Sequence, residues 1–266
     1  MVENTAARKA LIAGNWKMNL DHLQAIAFVQ KLAWTLKDQS FQSSTVDVAV
    51  FPPFTDLRSV QTLISADNLD FQLGGQDLSP HDAGAHTGDV SGAFLSQLAC
   101  EYVIVGHSER RADHHENDEV VTAKVQAALR HKLIPVICVG ETAEDLEAHG
   151  AAKVPVEQLE TVLNAIGKDS AIVVAYEPVW AIGSGTPATA DQAEEVCGVL
   201  RESIRRVHGD EQADRTRVLY GGSVKSANIA GFMKRPNIDG ALVGGASLDV
   251  DEFAAICQFE KHVTID

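Results

Sequence analysis

The 266-residue sequence predicts one α/β domain over residues 1–266, folded as a closed (β/α)8 barrel. Three observations carry this expectation. Eight short apolar runs recur along the chain, most of them continuous rather than alternating, as in strands buried on both faces of a parallel sheet. The segments between them read as amphipathic helices. No low-complexity linker divides the chain, and its length suits a single barrel of this kind.

In order, the runs are ALIAGN (Ala10 to Asn15), VDVAVF (Val46 to Phe51), DFQLGGQ (Asp70 to Gln76) and YVIVGH (Tyr102 to His107). They continue with LIPVICVG (Leu133 to Gly140), AIVVAYE (Ala171 to Glu177), RVLYGG (Arg217 to Gly222) and GALVGG (Gly240 to Gly245). Between the first two, Leu23, Ile26, Ala27, Gln30 and Trp34 fall at helical spacing, with Phe28 and Trp34 expected to pack. Val121, Val125, Ala128 and Leu129 do the same after the fourth run. Val196, Val199, Leu200 and Ile204 follow the sixth, behind N-cap signals at Thr189 and Asp191. An open doubly wound sheet would need a glycine-rich first turn, but AGNWKMN offers one glycine beside a bulky Trp16.

Composition narrows the function. A formal net charge of -15 argues against nucleic acid or an anionic membrane as a partner, though a local pocket can still be positive. Cys100, Cys138, Cys197 and Cys257 are scattered without a C-x-x-C pair, which suits free thiols in a reducing compartment. The opening MVENTAARKALIAGNW has no long apolar stretch, so neither a signal peptide nor a membrane span is expected, and the location is read as cytoplasmic. His81, His86, His114 and His115 lack zinc-ligand spacing, so no metal is expected. GSGTPAT lacks the G-K-[ST] of a nucleotide loop.

In a barrel of this kind the chemistry gathers at the C-terminal strand ends. There the sequence places Asn15 and Lys17, His107, Ser108 and Glu109, Glu177, Gly221 to Ser223, and Gly244 with Gly245. A carboxylate, an imidazole, an ammonium and an amide suit proton transfer beside a carbonyl: Glu177 taking a proton from carbon, His107 polarising the oxygen, Lys17 offsetting negative charge. The paired glycines would let backbone N–H groups approach a phosphate, with Ser223 as a further donor. Each residue taken alone has a plainer role, as a solvated loop charge, a turn glycine, a surface lysine or a core histidine. Their coincidence at the ends of five strands of one predicted barrel favours the chemical reading.

These residues sit in longer stretches: AGNWKMN (13–19), GAHTGDVS (85–91), VGHSERR (105–111), VICVGE (136–141), AYEPVWAIGSG (175–185), YGGSV (220–224) and GALVGGASL (240–248). In order and spacing they resemble the triosephosphate isomerase family across nearly the whole chain, in a bacterial form. The resemblance implies the cofactor-independent interconversion of dihydroxyacetone phosphate and glyceraldehyde 3-phosphate, in glycolysis and gluconeogenesis. It implies Glu177 as base, His107 as electrophile, Asn15 and Lys17 as substrate contacts, and Glu109 as support beside Lys17. The phosphate would be held around Gly183, Ser223, Gly244 and Gly245. Pro178, Val179 and Trp180 would start a mobile lid, with Ala181 leading to a tip of Ile182, Gly183, Ser184 and Gly185 and a far hinge of Thr186, Pro187 and Ala188. Ile182 and Leu242 would press on Glu177 and raise its basicity. A homodimer is implied too, with the loop of Thr87 reaching into the partner to brace the site. Two departures stand out. His86 replaces a common aromatic, which exposes the interface to pH; Thr186-Pro187 replaces a hinge that usually carries Lys or Arg, which bears on hinge energetics. Two other functions fit the same residues: isomerisation of a four-carbon ketose phosphate, and a non-catalytic phosphate-binding barrel, against which Lys17, His107 and Glu177 all speak.

Overall fold

The computed structural model describes residues 8–182 and 187–262. Its strands are β1 (Ala10–Asn15), β2 (Val46–Phe51), β3 (Gln72–Gly75), β4 (Tyr102–Val105), β5 (Ile134–Val139), β6 (Val173–Tyr176), β7 (Arg217–Tyr220) and β8 (Gly240–Val243). Each pairs in parallel with the next, and β8 pairs with β1, so the sheet is a closed barrel in chain order. Helices run between the strands on the outside.

Alternation along each strand divides the apolar residues into two layers. Leu11, Ala13, Phe51, Ile104, Val136, Cys138, Ala175, Leu219 and Leu242 fill the barrel interior as one cluster. Ile12, Val48, Val103, Ile137, Val174 and Val218 point the other way and join the layer beneath the helices. Both layers are apolar, which is why the strands are continuous hydrophobic runs in the sequence.

All eight runs are strands, but several stop short of their expected ends. β4, β6, β7 and β8 close at Val105, Tyr176, Tyr220 and Val243. The residues beyond still bond to the neighbouring strand, Glu177 N–H to the Val139 carbonyl at 2.8 Å and Gly221 N–H to that of Tyr176 at 2.7 Å. They then turn over the barrel mouth.

The helix His22–Asp38 corrects the expected packing stripe. It buries Ala25, Phe28, Val29, Leu32 and Leu36, whereas Leu23 and Trp34 are 66% and 65% exposed. Phe28 packs edge-on against Trp16, with ring centroids 5.1 Å apart. The helix is apolar on two stripes, and the one carrying Phe28 faces the barrel. Asp118–Arg130 buries Val121, Val125 and Ala128 as expected. Ala190–His208 buries Val196, Leu200 and Ile204, with Cys197 taking the place expected of Val199. Its start is a capping box: Thr189 Oγ1 accepts from Gln192 N–H at 3.2 Å, and Gln192 Oε1 accepts from Thr189 N–H at 2.9 Å.

At the N-terminal mouth a polar network spans the barrel. Arg217 donates to Asp47 Oδ2 at 2.8 Å and to Tyr102 Oη at 2.6 Å, and Lys9 lies 2.6 Å from Asp47 Oδ1. That end is tied shut by structure, and the opposite end is left for chemistry.

Candidate active site

Strand parity delivers the polar side chains to the open mouth. On β6 the inward series Val173, Ala175 continues to Glu177, and on β1 Leu11, Ala13 continues to Asn15 and then Lys17. After β4 the series would run Tyr102, Ile104, Gly106, and Gly106 adopts φ +71. That left-handed step shifts the parity, so His107 rather than its neighbour turns inward. Lys17 itself is held at φ 53, a strained conformation for a side-chain-bearing residue. Its backbone is fixed from both sides: its N–H donates to Asn15 Oδ1 at 3.0 Å, and Gln76 Nε2 donates to its carbonyl at 2.8 Å.

The result is a cavity of about 470 Å³ at the C-terminal mouth. Asn15, Lys17, His107, Glu109, Glu177, Ser223, Gly244 and Gly245 all line it, so the structure brings these sequence-predicted residues together. Ile182 and Leu242 form its apolar side. Of the expected lid, Val179–Ala181 is a 3-10 turn, Pro187 is exposed and Ala188 is buried, while Gly183, Ser184, Gly185 and Thr186 lie outside the described residues. Thr87 does not line the cavity; it lies on a stretch, residues 81–89, that is exposed throughout. On that stretch His86 stacks on His81, with ring centroids 3.9 Å apart and planes 2° from parallel.

Glu177 is 2% exposed and His107 6%. Oε1 of Glu177 lies 3.0 Å from His107 Nε2, and its Oε2 accepts the Ser108 N–H at 2.9 Å. His107 caps the short helix Ser108–Asp113, its Nδ1 accepting the Glu109 N–H at 3.2 Å. A nitrogen that accepts carries no proton, so the ring proton sits on Nε2 and points at the carboxylate. Burial pushes the His107 pKa down, but the charge and hydrogen bond of Glu177 outweigh it and hold the ring above the ordinary histidine value. For Glu177 burial pushes up, and His107, the Ser108 N–H and Lys17 together hold the carboxyl below the ordinary glutamate value. The push of burial is in the expected direction, towards greater basicity, and in this arrangement the pairing of the carboxylate outweighs it. Lys17 Nζ lies 2.5 Å from Glu109 Oε1, an ion pair at the cavity rim.

The glycines divide by what surrounds them. A Cβ on Gly221 would lie 2.9 Å from Glu177 Cγ, and one on Gly140 only 1.8 Å from the Glu177 carbonyl oxygen. These two are small because Glu177 passes over them. A Cβ on Gly245 would meet nothing within 4 Å, and one on Gly244 only the Lys17 side chain. Here the backbone borders open cavity, as an approach to a ligand requires.

Two residues went unrecognised in the sequence. Glu141, fully buried after β5, accepts the Trp180 indole N–H at 2.6 Å and the Tyr176 hydroxyl at 2.9 Å. Burial raises its pKa despite those donors. It anchors the start of the segment that follows Glu177, and no local pattern marks a partner 39 positions away. Lys225 also lines the cavity, one position beyond the YGGSV stretch.

A second groove of about 580 Å³ opens from the same place. It shares Asn15, Lys17, His107 and Glu109 and continues over Met18 and Phe54, which are 95% and 39% exposed. Its lining includes Arg110, 3.0 Å from Asp77 Oδ2, and Asp77 itself, both of whose oxygens accept from a buried Lys124 at 2.7 and 2.8 Å; Lys124 also donates to Glu116 at 2.6 Å.

Comparison with known proteins agrees with this geometry. The family model described as Triosephosphate isomerase matches residues 10–260. The chain is 63% identical to the triosephosphate isomerase of Leifsonia xyli subsp. xyli over 256 residues, covering 96% of this chain and 99% of that protein. It is 54% identical to that of Streptomyces avermitilis, again over 96% of this chain and 99% of the relative. The crystal structure of triosephosphate isomerase from Bartonella henselae superposes with a TM-score of 0.84 at 35% identity, covering 95% of this chain and 99% of that one. The chain belongs to the triosephosphate isomerase family.

Proposed function

We propose that this chain interconverts dihydroxyacetone phosphate and D-glyceraldehyde 3-phosphate, with Glu177 as the base and His107 as the electrophile. The observation that carries this reading is the buried Glu177–His107 pair at 3.0 Å on the wall of a cavity that also holds Lys17 and Asn15. Substrate enters between the two side chains, so that their mutual hydrogen bond is exchanged for bonds to the sugar. Glu177 removes the proton from the carbon next to the carbonyl. Nε2–H of His107 donates to the carbonyl oxygen, which becomes an enediolate oxygen. Glu177 returns the proton to the neighbouring carbon, while the hydroxyl proton passes between the two substrate oxygens by way of His107 Nε2, which gives its proton to one oxygen and takes one from the other; the isomerisation is then complete with no change of oxidation state overall and no cofactor. Once substrate separates the ring from the Glu177 carboxylate, the main influence that raised the His107 pKa is lost, and burial, the charge of Lys17 and the Glu109 N–H favour a neutral ring. Neutral imidazole is the electrophile the handed-on proton requires, since Nδ1 already accepts.

Lys17 and Asn15 bind the oxygens of the substrate, and Glu109 positions Lys17. The phosphate lies against the backbone of Ser223, Gly244 and Gly245, with Gly183 completing the grip. Residues Pro178 to Ala188 act as the lid, and Trp180 with Glu141 fixes its near end. Excluding water matters because an exposed enediolate expels its phosphate.

The active form is read as a homodimer. The stretch around Thr87 is exposed throughout, and the groove over Met18 and Phe54 opens beside the cavity. A partner's Thr87 loop in that groove would brace Asn15, Lys17 and His107 from the side away from the lid. A cytoplasmic location accords with four buried free cysteines. Among the described residues no helix is long and apolar enough to cross a membrane.

A coupled assay with glyceraldehyde 3-phosphate, run beside erythrulose phosphate, tests the reading. Rapid turnover of the triose phosphate with little of the four-carbon sugar supports it. Preference for the four-carbon sugar, or no turnover of either, overturns it.

A further inference from the structure

Two lysines line the catalytic cavity, and they are differently placed. Lys17 is tied to Glu109 at 2.5 Å. Lys225, which follows Ser223 and Val224 on the same wall, is exposed and makes no ion pair among the described residues. Its backbone is fixed, its N–H donating to Asn228 Oδ1 at 2.8 Å, and the nearby acid Glu252 is engaged by the Ser226 N–H at 2.8 Å and hydroxyl at 2.9 Å. The charged lining among the described residues is thus Lys17 and Lys225 against Glu109 and Glu177. With His107 neutral these cancel; without Lys225 the lining is net negative. It would then present that charge to a doubly negative substrate, in a chain whose net charge is already -15.

We propose that Lys225 is the cation that draws the phosphate dianion into the cavity and holds it at the Ser223 side before the chemical step. This rests on the placement of the phosphate given above. Lys225 touches none of the reacting atoms, so its contribution lies in capture of the substrate and not in proton transfer. Such a contribution acts through the field and is weakened by salt, because the ammonium is exposed and the screening length shortens as ionic strength rises.

The test compares wild type with Lys225→Gln, Lys225→Glu and Lys225→Arg, at low and high ionic strength, with glyceraldehyde 3-phosphate as substrate and inorganic phosphate as competitive inhibitor. At about 0.02 M salt Lys225→Gln is expected to lose roughly 3- to 10-fold in kcat/KM and to bind inorganic phosphate correspondingly less well. Lys225→Glu should lose more, and Lys225→Arg should stay close to wild type. At about 0.3 M salt the Gln variant and wild type should converge to within about twofold. The loss should fall on kcat/KM and not on kcat. An unchanged kcat/KM at low salt, or a loss that resides in kcat and ignores salt, overturns the proposal. Glu177→Asp, measured in parallel, separates the two levels of inference. If it loses turnover while the Lys225 variants do not respond, the site stands and the role of Lys225 falls. If Glu177→Asp turns over normally, the site itself is misassigned.

Discussion

Nε2 of His107 lies 3.0 Å from Oε1 of Glu177, with both side chains almost fully buried. Each residue therefore sets the charge state of the other. The ring holds the carboxyl below the ordinary glutamate value against the opposing push of burial, and the carboxylate holds the ring above the ordinary histidine value. Replacing His107 by Gln removes the first influence and leaves burial in place. The Glu177 carboxyl should then titrate higher than in wild type, and kcat should fall by about 10²-fold or more. A ¹³C side-chain carboxyl titration, assigned with Glu177→Gln, checks the shift. In wild type the depressed carboxyl contributes stability above the unfolded glutamate value, which is lost as pH falls through the folded value. In His107→Gln that acid-side loss should shrink or reverse.

Gly221 bears on the same carboxylate from below. A Cβ there would lie 2.9 Å from Glu177 Cγ and 3.2 Å from the Tyr176 carbonyl oxygen. Gly221→Ala should fold, displace Glu177 by a fraction of an ångström, and lower kcat by roughly 10- to 100-fold. Inhibition by inorganic phosphate should change little. A wild-type kcat would show that the carboxylate tolerates this shift.

The eight strands were legible because a barrel strand is buried on both faces, so each is an apolar run whatever its partners. The site was legible for a related reason: polar residues that end such runs have few other places to point. The stripe on His22–Asp38 was not legible, because that helix is apolar on two sides and periodicity gives spacing without direction. The Glu141–Trp180 bond was hidden for want of any local signature. The paired state of Glu177 was hidden as well. The sequence offered Ile182 and Leu242 as neighbours, but not a histidine and a backbone N–H directed at the carboxylate.

Trp180→Phe removes the indole N–H that reaches Glu141 while keeping an aromatic ring. Glu141 keeps the Tyr176 hydroxyl, so the fold should survive. On the proposed reading of residues 178–188 as a lid, its near end loses its anchor, and a less closed lid should release more inorganic phosphate per turnover, with kcat/KM down several-fold. Product partitioning between isomerised sugar and free phosphate is the readout. Unchanged partitioning would confine Glu141 to a packing role.

Thr87→Arg should weaken the dimer and the activity together. It places a long cation on the exposed stretch read as the interface, where burial on association would leave it unpaired. Sedimentation across a dilution series, beside specific activity at each concentration, follows both. A fully active monomer would show that Thr87 braces nothing.

Whether Glu177 moves the proton is decided by kcat of Glu177→Asp. Shortening the side chain by one methylene withdraws the carboxylate by about 1 Å while preserving its charge, a displacement that costs on the order of 10²-fold. A loss of that size in kcat is expected, with an unchanged circular dichroism spectrum and unchanged inhibition by inorganic phosphate. Turnover near that of wild type would remove Glu177 from the role of base.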